Sequence, residues 1–369
     1  MKTELGLKKI TQKEKNNIIQ IIDSDVGGGA EKLVSYLQEG IQSTKKVIIF
    51  KKLNNKFENN EKYKSLNINH NSIWAVFVAS FKIFMITLKQ KKKNNIIFHS
   101  HLSKALYSTF ISSFIFRIPH IHTEHNTFNK RRKKWFLYFI EYLIYNSLKS
   151  IICVSEATRY ELLLYMPSLD LDKVIVIENG TDLIKYKDRN LSKKKFNIIV
   201  LGSLTYKKGI DLLLSCIPFV IDRIEKVKII GSGPEKKKIL YLISKFSLHT
   251  LVELIDYTED IEHHLYDADI GIIPSRWEGF GLVAVEMRSS GLPILISDVP
   301  GLSDLFSNYN GVFTFKAGSK DSLKKTLNDL LNDLSNNNLI TLDLSSDLKK
   351  YSIQNFLKRY EEYYKKLKL

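Results

Sequence analysis

The side chains best suited to chemistry lie in one short stretch near residue 280. Glu278, Gly279 and Gly281 follow one another with a single aromatic residue between the glycines, and Glu286 comes eight residues after Glu278. Since glycine has no Cβ, a ligand can approach the backbone amides, and the N-terminus of a following helix favours a negative group. Two carboxylates beside exposed amides suit a ligand with both hydroxyls and phosphates. A nucleotide sugar is such a ligand.

The elements around this group are typical of a parallel α/β sheet. Residues 269–273 predict a short strand, residues 282–286 predict a helix that is closed by Gly291, and residues 293–297 predict another strand. In open α/β sheets, ligands bind beyond the carboxyl ends of the strands, so both glutamates are expected to face one pocket. The spacing alone leaves a structural turn with two solvated glutamates as the alternative.

Nine residues of this stretch form a dense pattern. They are Ser275, Glu278, Gly279, Phe280, Gly281, Glu286, Gly291, Pro293 and Gly301. Together they resemble the signature of glycosyltransferase family 4, retaining enzymes of the GT-B fold, and the likeness covers about residues 17–315 well and the tail only loosely. The resemblance implies an α/β protein of two doubly wound, Rossmann-like domains that face each other across a cleft, with the donor bound mostly by the second.

The length of 369 residues is too great for one ordinary core, and the apolar content of 44% is that of a globular protein. We expect residues 1–184 to form the acceptor-side domain and residues 185–348 to form the nucleotide-sugar-binding domain. The polar residues 185–195 are the predicted linker. Residues 349–369 have helical spacing, and the resemblance implies that this last helix packs back on the first domain.

A second candidate for phosphate binding follows the first predicted strand, residues 17–22. Gly28 and Gly29 belong to a run of three glycines before a helix, and this arrangement can hold a phosphate with backbone amides. The dinucleotide and Walker patterns are absent from the sequence, so a flexible turn is the alternative. Residues 28–31 also resemble the first loop of the family, which implies that both glycines lie against the donor phosphate and the acceptor.

Histidines follow two further strands of the first domain. His99 and His101 end a strand predicted at 96–101, and such a pair can bind a metal, but no further ligands lie near them in the sequence. The resemblance implies instead that they line the cleft. It also implies that His125, directly after a strand, contacts the donor sugar, and a solvated loop histidine is the alternative.

The second domain begins with a strand predicted at 196–201 and a basic loop. The family pattern here is Gly-Arg-Leu followed a few residues later by Lys-Gly, and Lys208 falls on the lysine that holds the donor diphosphate. Ser203 stands at the arginine position, which departs from the pattern. The adjacent Lys207 is expected to supply the second positive charge. Residues 252–257 occupy the place where the backbone of family members reads the nucleotide base.

No metal and no cofactor are expected. The tripeptide Asp-x-Asp, which binds the metal in a different glycosyltransferase fold, occurs at 23–25, 170–172 and 267–269, and this repetition makes it a weak pattern. The last copy stands in a context that matches the GT-B fold. Cys153 and Cys216 are expected in different domains, so a structural disulfide is not predicted, which fits a reducing cytoplasm.

The chain has an excess of positive charge, with 56 basic and 39 acidic residues and a net charge of +17. Such an excess favours phosphorylated substrates, an anionic membrane or nucleic acid. An RNP-type aromatic motif and zinc-binding spacing are absent from the sequence, which argues against nucleic acid. Much of the excess lies in runs at 89–93, 130–134 and 193–195, and solvated surface is the alternative for each run.

Residues 130–147 combine a basic beginning with many aromatic side chains, and they predict one helix. We expect most of its apolar face to pack against the sheet, while its basic and aromatic rim suits the headgroups of an anionic membrane. The N-terminus lacks an apolar signal core, and the helix predicted at 73–88 contains Lys82 and is too short to span a bilayer. A cytoplasmic protein, peripheral at the inner face of the plasma membrane, is therefore expected.

The resemblance implies that a sugar moves, with retention of configuration and without a metal, from a UDP- or GDP-linked donor to a hydroxyl. The acceptor would be a glycan or a lipid-linked intermediate of bacterial surface polysaccharide. The implied catalytic residues are Glu278, His125 and Lys208, and the implied donor contacts are Gly28, Gly29, Lys207, Lys208, Gly279, Phe280, Gly281, Leu282 and Glu286.

Within this set, Glu278 would hold hydroxyls of the donor sugar and Glu286 the ribose. Front-face attack with the leaving phosphate as proton acceptor is the implied mechanism, and Glu278 as a transient nucleophile stays open. Two other interpretations also stay open, a nucleotide-sugar epimerase of the same fold and a non-catalytic binding subunit.

Overall fold

The computed structural model describes residues 17–24, 28–51, 61–69, 72, 74–89, 95–189, 191, 193–336 and 345–367. Within these residues the chain forms two sheets, in which every pairing is parallel. The first sheet contains β1 (Asn17–Ser24), β2 (Thr44–Lys51), β3 (Tyr63–Ser65), β4 (Ile96–His101), β5 (His120–Glu124), β6 (Ser150–Cys153) and β7 (Val174–Val176). The second contains β8 (Phe196–Leu201), β9 (Ile224–Ile230), β10 (Val252–Ile255), β11 (Ile270–Ile273), β12 (Ile294–Ser297) and β13 (Val312–Phe315).

The strand orders confirm the predicted fold class. The first sheet runs β3-β2-β1-β4-β5-β6-β7 and the second runs β10-β9-β8-β11-β12-β13. Each order reverses beside its first strand, so each sheet has a switch point, between β1 and β4 and between β8 and β11. Loops at the carboxyl ends of strands beside a switch point form a crevice, which is where a doubly wound sheet binds its ligand.

Helices connect these strands. Their bounds are α1 (Gly29–Gly40), α2 (Ala75–Leu88), α3 (Ser103–Ile115), α4 (Trp135–Ser147), α5 (Glu156–Tyr165), α6 (Ile210–Cys216), α7 (Lys236–Lys245), α8 (Glu262–Asp267), α9 (Leu282–Ser289), α10 (Ser303–Phe306), α11 (Lys320–Ser335), α12 (Ser345–Leu348) and α13 (Ile353–Lys366). Among the described residues, no helix is both long and apolar enough to cross a bilayer.

Each sheet is buried on both faces because its central strands are apolar at successive positions. In β8, Ile198 and Val200 belong to one hydrophobic cluster, whereas Ile199 and Leu201 belong to another. Successive side chains of a strand point to opposite faces, so the two clusters lie on the two faces of the sheet. The isoleucines of β1 alternate in the same way.

The last helix, α13, packs on the first sheet although it follows the second sheet in sequence. Phe356, Tyr360 and Tyr364 share a buried cluster with residues of β1 and α1. Leu357 fills the space beside Gly40, where a Cβ would collide with it. The polypeptide therefore returns to its first half before it ends.

The stretch 130–147 differs from its prediction in two ways. It forms a 3₁₀ turn at Lys130–Lys133 and a separate helix, α4, and most large side chains of α4 are exposed rather than packed against the sheet. The basic run is also divided. Arg131 and Arg132 turn inward to carboxylates, whereas Lys133 and Lys134 are exposed. The expectation of core packing for most of this helix was wrong, because a helix that is apolar on all sides does not indicate which side faces inward.

Candidate active site

The turn that carries Glu278 connects β11 to α9, and its shape depends on glycine. Gly281 caps α9 with a φ of +76°, a left-handed conformation that favours glycine. A Cβ added to Gly279 would collide with the carbonyl oxygen of His125. Glycine is therefore favoured at 281 by the backbone conformation and required at 279 by the close approach of the loop after β5.

Glu278 is buried, and each of its carboxylate oxygens is paired with a lysine. Lys207 Nζ lies 2.9 Å from Oε1 and Lys208 Nζ lies 2.7 Å from Oε2. Both lysines belong to a 3₁₀ turn, Tyr206–Lys208, that follows β8, and Lys207 also donates to Asn126 Oδ1 at 3.1 Å. The fold thus brings together three of the predicted residues at the switch point of the second sheet. Two ammonium groups face one carboxylate, so the cluster keeps one net positive charge.

The electrostatics of this cluster follow from burial and from the paired charges. Burial alone would raise the pKa of Glu278, but the charges of Lys207 and Lys208 outweigh it and hold that pKa well below its usual range. Burial lowers the pKa of Lys207 from its ordinary value, although the carboxylate of Glu278 opposes this shift. Glu278 is therefore ionised near neutral pH, and Lys207 loses its proton more readily than an exposed lysine does.

Hydroxyl groups from the loops of the first sheet hold the same turn from the other side. Thr127 Oγ1 donates to the carbonyl of Glu278 at 2.8 Å, and Ser155 Oγ donates to the carbonyl of Gly279 at 2.6 Å. Thr158 Oγ1 lies 3.4 Å from the carbonyl of Gly279. Both sheets therefore position the turn. Sequence analysis missed these hydroxyls, and the only local signal was a polar residue soon after the end of a strand.

His125 lies against this turn, but the two histidines of β4 do not line the cleft as expected. His99 and His101 are 0% and 1% exposed. Nδ1 of His101 lies 3.1 Å from Nε2 of His125, and Nε2 of His101 lies 2.6 Å from Gln20 Oε1. Burial lowers the pKa of His125 far below its ordinary value, so its ring is neutral near pH 7. The pair is internal because β4 is flanked by β1 and β5.

The last helix completes this polar network. The hydroxyl of Tyr364 lies 2.7 Å from His99 Nδ1 and accepts a hydrogen bond from Gln20 Nε2 at 3.1 Å. Gln20 in turn contacts the ring of His101, which contacts His125. A hydrogen-bonded path therefore leads from α13 to the histidine beside the candidate catalytic turn. No local pattern in the sequence predicts it.

A cavity of about 1340 Å³ lies between the two sheets. Four of the predicted donor contacts line it, namely Gly28, Gly29, Leu282 and Glu286. Tyr257, at the end of the segment expected to read the base, also lines it. Glu278 lies outside this lining and is held between Lys207 and Lys208, while Lys208 lies against Gly202 in the cavity wall. That both glutamates face one pocket stays a prediction.

Glu286 is buried in the wall of this cavity beside two residues that sequence analysis missed. Lys32 Nζ lies 2.7 Å from Oε1 of Glu286, and Thr181 Oγ1 donates to the same oxygen at 2.6 Å. Lys32 lies in the first turns of α1, three residues after Gly29, and Thr181 follows β7 by five residues. The sequence signal for both residues was a polar side chain soon after a strand or a glycine loop. That Lys32 and Thr181 contact Glu286 depends on how the two halves of the chain pack.

Phe280 and Asp269 are both buried, and both make contacts within the fold. Phe280 is 2% exposed and its ring packs edge-on against the ring of Tyr351, with centroids 5.3 Å apart, so a donor contact of Phe280 is expected from its backbone. Asp269, from the last Asp-x-Asp tripeptide, pairs with Lys193 Nζ at 2.7 Å and accepts the backbone N–H of Asn197 at 2.9 Å. Asp269 therefore anchors the segment that enters the second sheet.

Family models match both halves of the chain. The family described as Glycosyltransferase Family 4 matches residues 28–185, and the family described as Glycosyl transferases group 1 matches residues 184–353. The chain belongs to glycosyltransferase family 4. Family membership agrees with the strand orders and with the position of the glycine turn at a switch point.

Relatives of this family 4 chain come from archaea, bacteria and fungi. An uncharacterized glycosyltransferase of Methanocaldococcus jannaschii, MJ1607, is 28% identical over 80% of this chain and 81% of its own length. The O-antigen biosynthesis glycosyltransferase WclY of Escherichia coli is 32% identical over 46% of this chain, and the match spans about half, 48%, of its own length. Among solved structures, Anabaena HepE in complex with UDP and glucose superposes with a TM-score of 0.80 at 18% identity, over 95% of this chain and all of that one, and so shows the same fold.

Proposed function

We propose that this family 4 protein is a retaining glycosyltransferase that moves a sugar from a nucleoside diphosphate to a hydroxyl of a glycan or lipid-linked acceptor. The observation that carries the proposal is the cluster of Lys207, Lys208 and Glu278 on a glycine turn close to a large cavity. The net positive charge of this cluster suits a diphosphate, and the cavity has room for a nucleotide.

Departure of the nucleotide is the step that needs most assistance. When the bond between C1 of the sugar and the oxygen of the β-phosphate breaks, negative charge develops on that oxygen. In this proposal the ammonium groups of Lys207 and Lys208, with the amides at the N-terminus of α9, stabilise it. Cationic side chains and amides thus fill the role that a divalent metal has in other glycosyltransferases, and we propose that this protein needs no metal.

The geometry of Glu278 favours front-face attack over a covalent intermediate. Lysines hold both of its oxygens and keep its pKa low, and a carboxylate so stabilised is a weak nucleophile. The acceptor oxygen then bonds to C1 on the face from which the phosphate leaves, and its proton passes to the departing phosphate oxygen. C1 keeps its configuration. Glu278 and His125 hold the sugar from two sides in this scheme.

The comparisons support the choice of donor and acceptor. A structure with the same fold is described in complex with UDP and glucose, so we propose a UDP-linked sugar first and a GDP-linked sugar second. Glu286, in the cavity wall, would hold the ribose. Similarity to an O-antigen biosynthesis glycosyltransferase supports an acceptor in bacterial surface polysaccharide, built on the cytoplasmic side of the plasma membrane.

A donor screen tests the proposal. Purified protein is incubated with UDP-glucose, UDP-galactose, UDP-N-acetylglucosamine and GDP-mannose, and release of the nucleotide is measured with the anomeric configuration of the sugar product. We expect one donor to be consumed with retention, and we expect Lys208→Ala to abolish most of the activity while the exposed control Lys236→Ala does not.

Two results would replace the proposal. A donor converted to its epimer would establish the epimerase, and tight binding of a nucleotide sugar without turnover on any acceptor would establish the binding subunit. No binding of any nucleotide sugar would overturn all three functions.

A further inference from the structure

Three neighbouring helices on one side of the first sheet present apolar side chains to solvent. On α2 and the residue before it, Trp74, Phe77, Val78 and Phe81 recur at helical spacing and are 41–68% exposed. On α3 the exposed residues are Ile111, Phe114 and Ile115, and on α4 they are Trp135, Phe136, Phe139, Ile140 and Leu143. Trp135 reaches 87% exposure and Phe114 reaches 70%. Each helix thus has a second apolar stripe besides the one that faces the core.

The three stripes belong to one surface, because the helices are in contact. Between α2 and α3, Ser108 Oγ donates to the carbonyl of Val76 at 3.2 Å, and the rings of Phe84 and Phe116 stack with centroids 5.0 Å apart. Between α3 and α4, the hydroxyl of Tyr107 donates to Glu141. We call the exposed side of α2, α3 and α4 the apolar face. Its extent across three helices distinguishes it from single exposed hydrophobic residues, which are ordinary.

The charges around the apolar face are almost entirely positive. The sequences of α2, α3 and α4 contain a single acidic residue, Glu141, and it is buried and paired with Arg131. The exposed charged residues at the ends of these helices are basic, namely Lys89, Arg117, Lys133, Lys134 and Lys149. An apolar surface with a basic rim is the chemistry that binds the headgroups and upper acyl region of an anionic membrane.

One edge of the apolar face lies at the end of the first sheet that borders the cleft. Helices that follow parallel strands begin at the carboxyl ends of those strands, and the cleft lies at those ends. Trp74 precedes the first residue of α2, and Trp135 is the first residue of α4. Both tryptophans therefore lie on the edge of the face that is nearest to the cleft, and tryptophan is the residue that prefers the bilayer interface.

We propose that the apolar face docks on the surface of an anionic lipid bilayer and turns the mouth of the cleft toward it. The occupant is a lipid bilayer rather than a second copy of the chain, because the basic rim would repel an identical rim. Docking would bring the site to an acceptor that is anchored in the membrane. The proposal does not rest on the transfer reaction, since vesicle binding is measured without any sugar donor.

Binding of the full chain to vesicles is the first test. The protein is sedimented with vesicles of phosphatidylcholine and with vesicles that also contain phosphatidylglycerol, at low and at physiological salt. We expect binding to the anionic vesicles that is at least about tenfold stronger than to the neutral ones, and we expect it to weaken with salt because the attraction is screened beyond ~8 Å. Equal binding to both vesicles, or binding to neither, would overturn the proposal.

Variants locate the contact. The double variant Trp135→Ser/Phe139→Ser should lose at least about tenfold in affinity for anionic vesicles, and so should Lys133→Glu/Lys134→Glu. The matched control is Leu240→Ser/Tyr241→Ser, which removes two exposed apolar residues from α7 of the second sheet and should bind like the unaltered protein. Circular dichroism checks that each variant is folded. If the Trp135/Phe139 variant does not fold, the Lys133/Lys134 variant still tests the proposal.

Tryptophan fluorescence provides an independent measurement. The chain has three tryptophans, of which Trp74 and Trp135 lie on the apolar face and Trp277 lies in the candidate catalytic turn. Vesicles with brominated acyl chains should quench the fluorescence of the unaltered protein, and Trp74→Phe/Trp135→Phe should lose that quenching. Quenching that survives in this variant would contradict the proposed orientation. A dimer in sedimentation that the Ser substitutions dissociate, without vesicle binding, would assign the face to a second copy of the chain.

Discussion

Two groups of charged residues in this protein are each built on buried carboxylates, and they differ in composition and in surroundings. The cleft cluster consists of Lys207, Lys208 and Glu278, and the inner cluster consists of Arg131, Arg132, Glu124 and Glu141. In the inner cluster Arg131 Nε lies 2.7 Å from Glu141, Arg132 lies 3.3 Å from Glu124, and Tyr145 donates to Glu124. The cleft cluster instead lies beside a glycine turn close to the cavity.

The balance of charge distinguishes the two clusters. Two arginines face two carboxylates in the inner cluster, whereas two lysines face one carboxylate in the cleft cluster. The planar guanidinium of arginine fixes a geometry, while the ammonium of lysine is a compact charge on a flexible chain that can turn toward a phosphate. We therefore propose that the unbalanced positive charge on the lysines serves a ligand, whereas the balanced arrangement of arginines serves the fold.

The largest expected effect is on stability, from Arg131→Ala. This change leaves the Glu141 carboxylate buried without its cationic partner, and breaking a buried pair in this way typically removes about 3–5 kcal/mol from the free energy of unfolding. Urea denaturation measures it. The control is Arg159→Ala, which removes a partly exposed pair with Glu156 and should remove less than about 1 kcal/mol. Equal stability of the two variants would show that the inner cluster is not structural.

The next effect is on turnover, from Lys208→Ala. Loss of one group that stabilises the leaving phosphate should lower kcat by at least about 100-fold, since that is the scale measured for single charge-stabilising donors. The melting temperature should change little by comparison with Arg131→Ala. Lys236→Ala, which removes an exposed lysine paired with Asp256, is the kinetic control. A Lys208→Ala variant that turns over like this control would assign the cleft cluster to structure.

A smaller loss, about tenfold, is expected from Lys207→Ala, because Lys208 still faces the phosphate in that variant. The double variant Ser203→Arg/Lys207→Ala should regain part of the activity if Lys207 compensates for the arginine that family members have at position 203. Steady-state kinetics with the donor identified in the screen provides the measurement. If Lys207→Ala has no kinetic effect while Lys208→Ala does, the compensation idea is wrong.

The pH dependence distinguishes the clusters further. Burial lowers the pKa of Lys207, so its positive charge is lost, as the pH rises, at a lower pH than that of an ordinary lysine. The rate should therefore fall on the alkaline side, and Lys207→Arg should move this fall to higher pH because arginine stays charged. The pKa of Glu278 is held low, so no acidic fall due to Glu278 is expected near neutral pH. An alkaline fall that Lys207→Arg leaves in place would belong to another group.

The smallest expected effect is that of a chelator. Since Lys207, Lys208 and the amides of α9 are proposed to stabilise the leaving group, EDTA should leave the rate unchanged within error. Complete loss of activity in EDTA, restored by Mn²⁺ or Mg²⁺, would contradict the mechanism and return attention to the Asp-x-Asp tripeptides.

Much of the fold could be predicted because its signals are local. Apolar runs such as 96–101 and 196–201 predicted strands that the structure contains as β4 and β8. The end of α9 could be predicted from Gly291 alone, which has a φ of +87° just after the helix. The domain boundaries, the catalytic roles and the membrane location stay predictions.

The candidate site could be predicted only in part. The contact of Glu278 with Lys207 and Lys208 agrees with the resemblance of both segments to motifs of the family. The contacts of Lys32 and Thr181 with Glu286 were missed. These partners come from α1 and from the loop after β7, and no property of a short stretch of chain specifies which distant stretch lies beside it.

The sequence by itself determined where strands, helices and glycine turns form, since these depend on periodicity and on backbone freedom within a few residues. Tertiary structure decided which side of each element is buried. Arg131 and Arg132 turn inward because Glu124 and Glu141 lie within reach, and the apolar stripe of α4 is exposed because α3 and the sheet cover its other side. The physical reason is that burial depends on neighbours that are distant in sequence, and a helix that is apolar all round can satisfy either orientation.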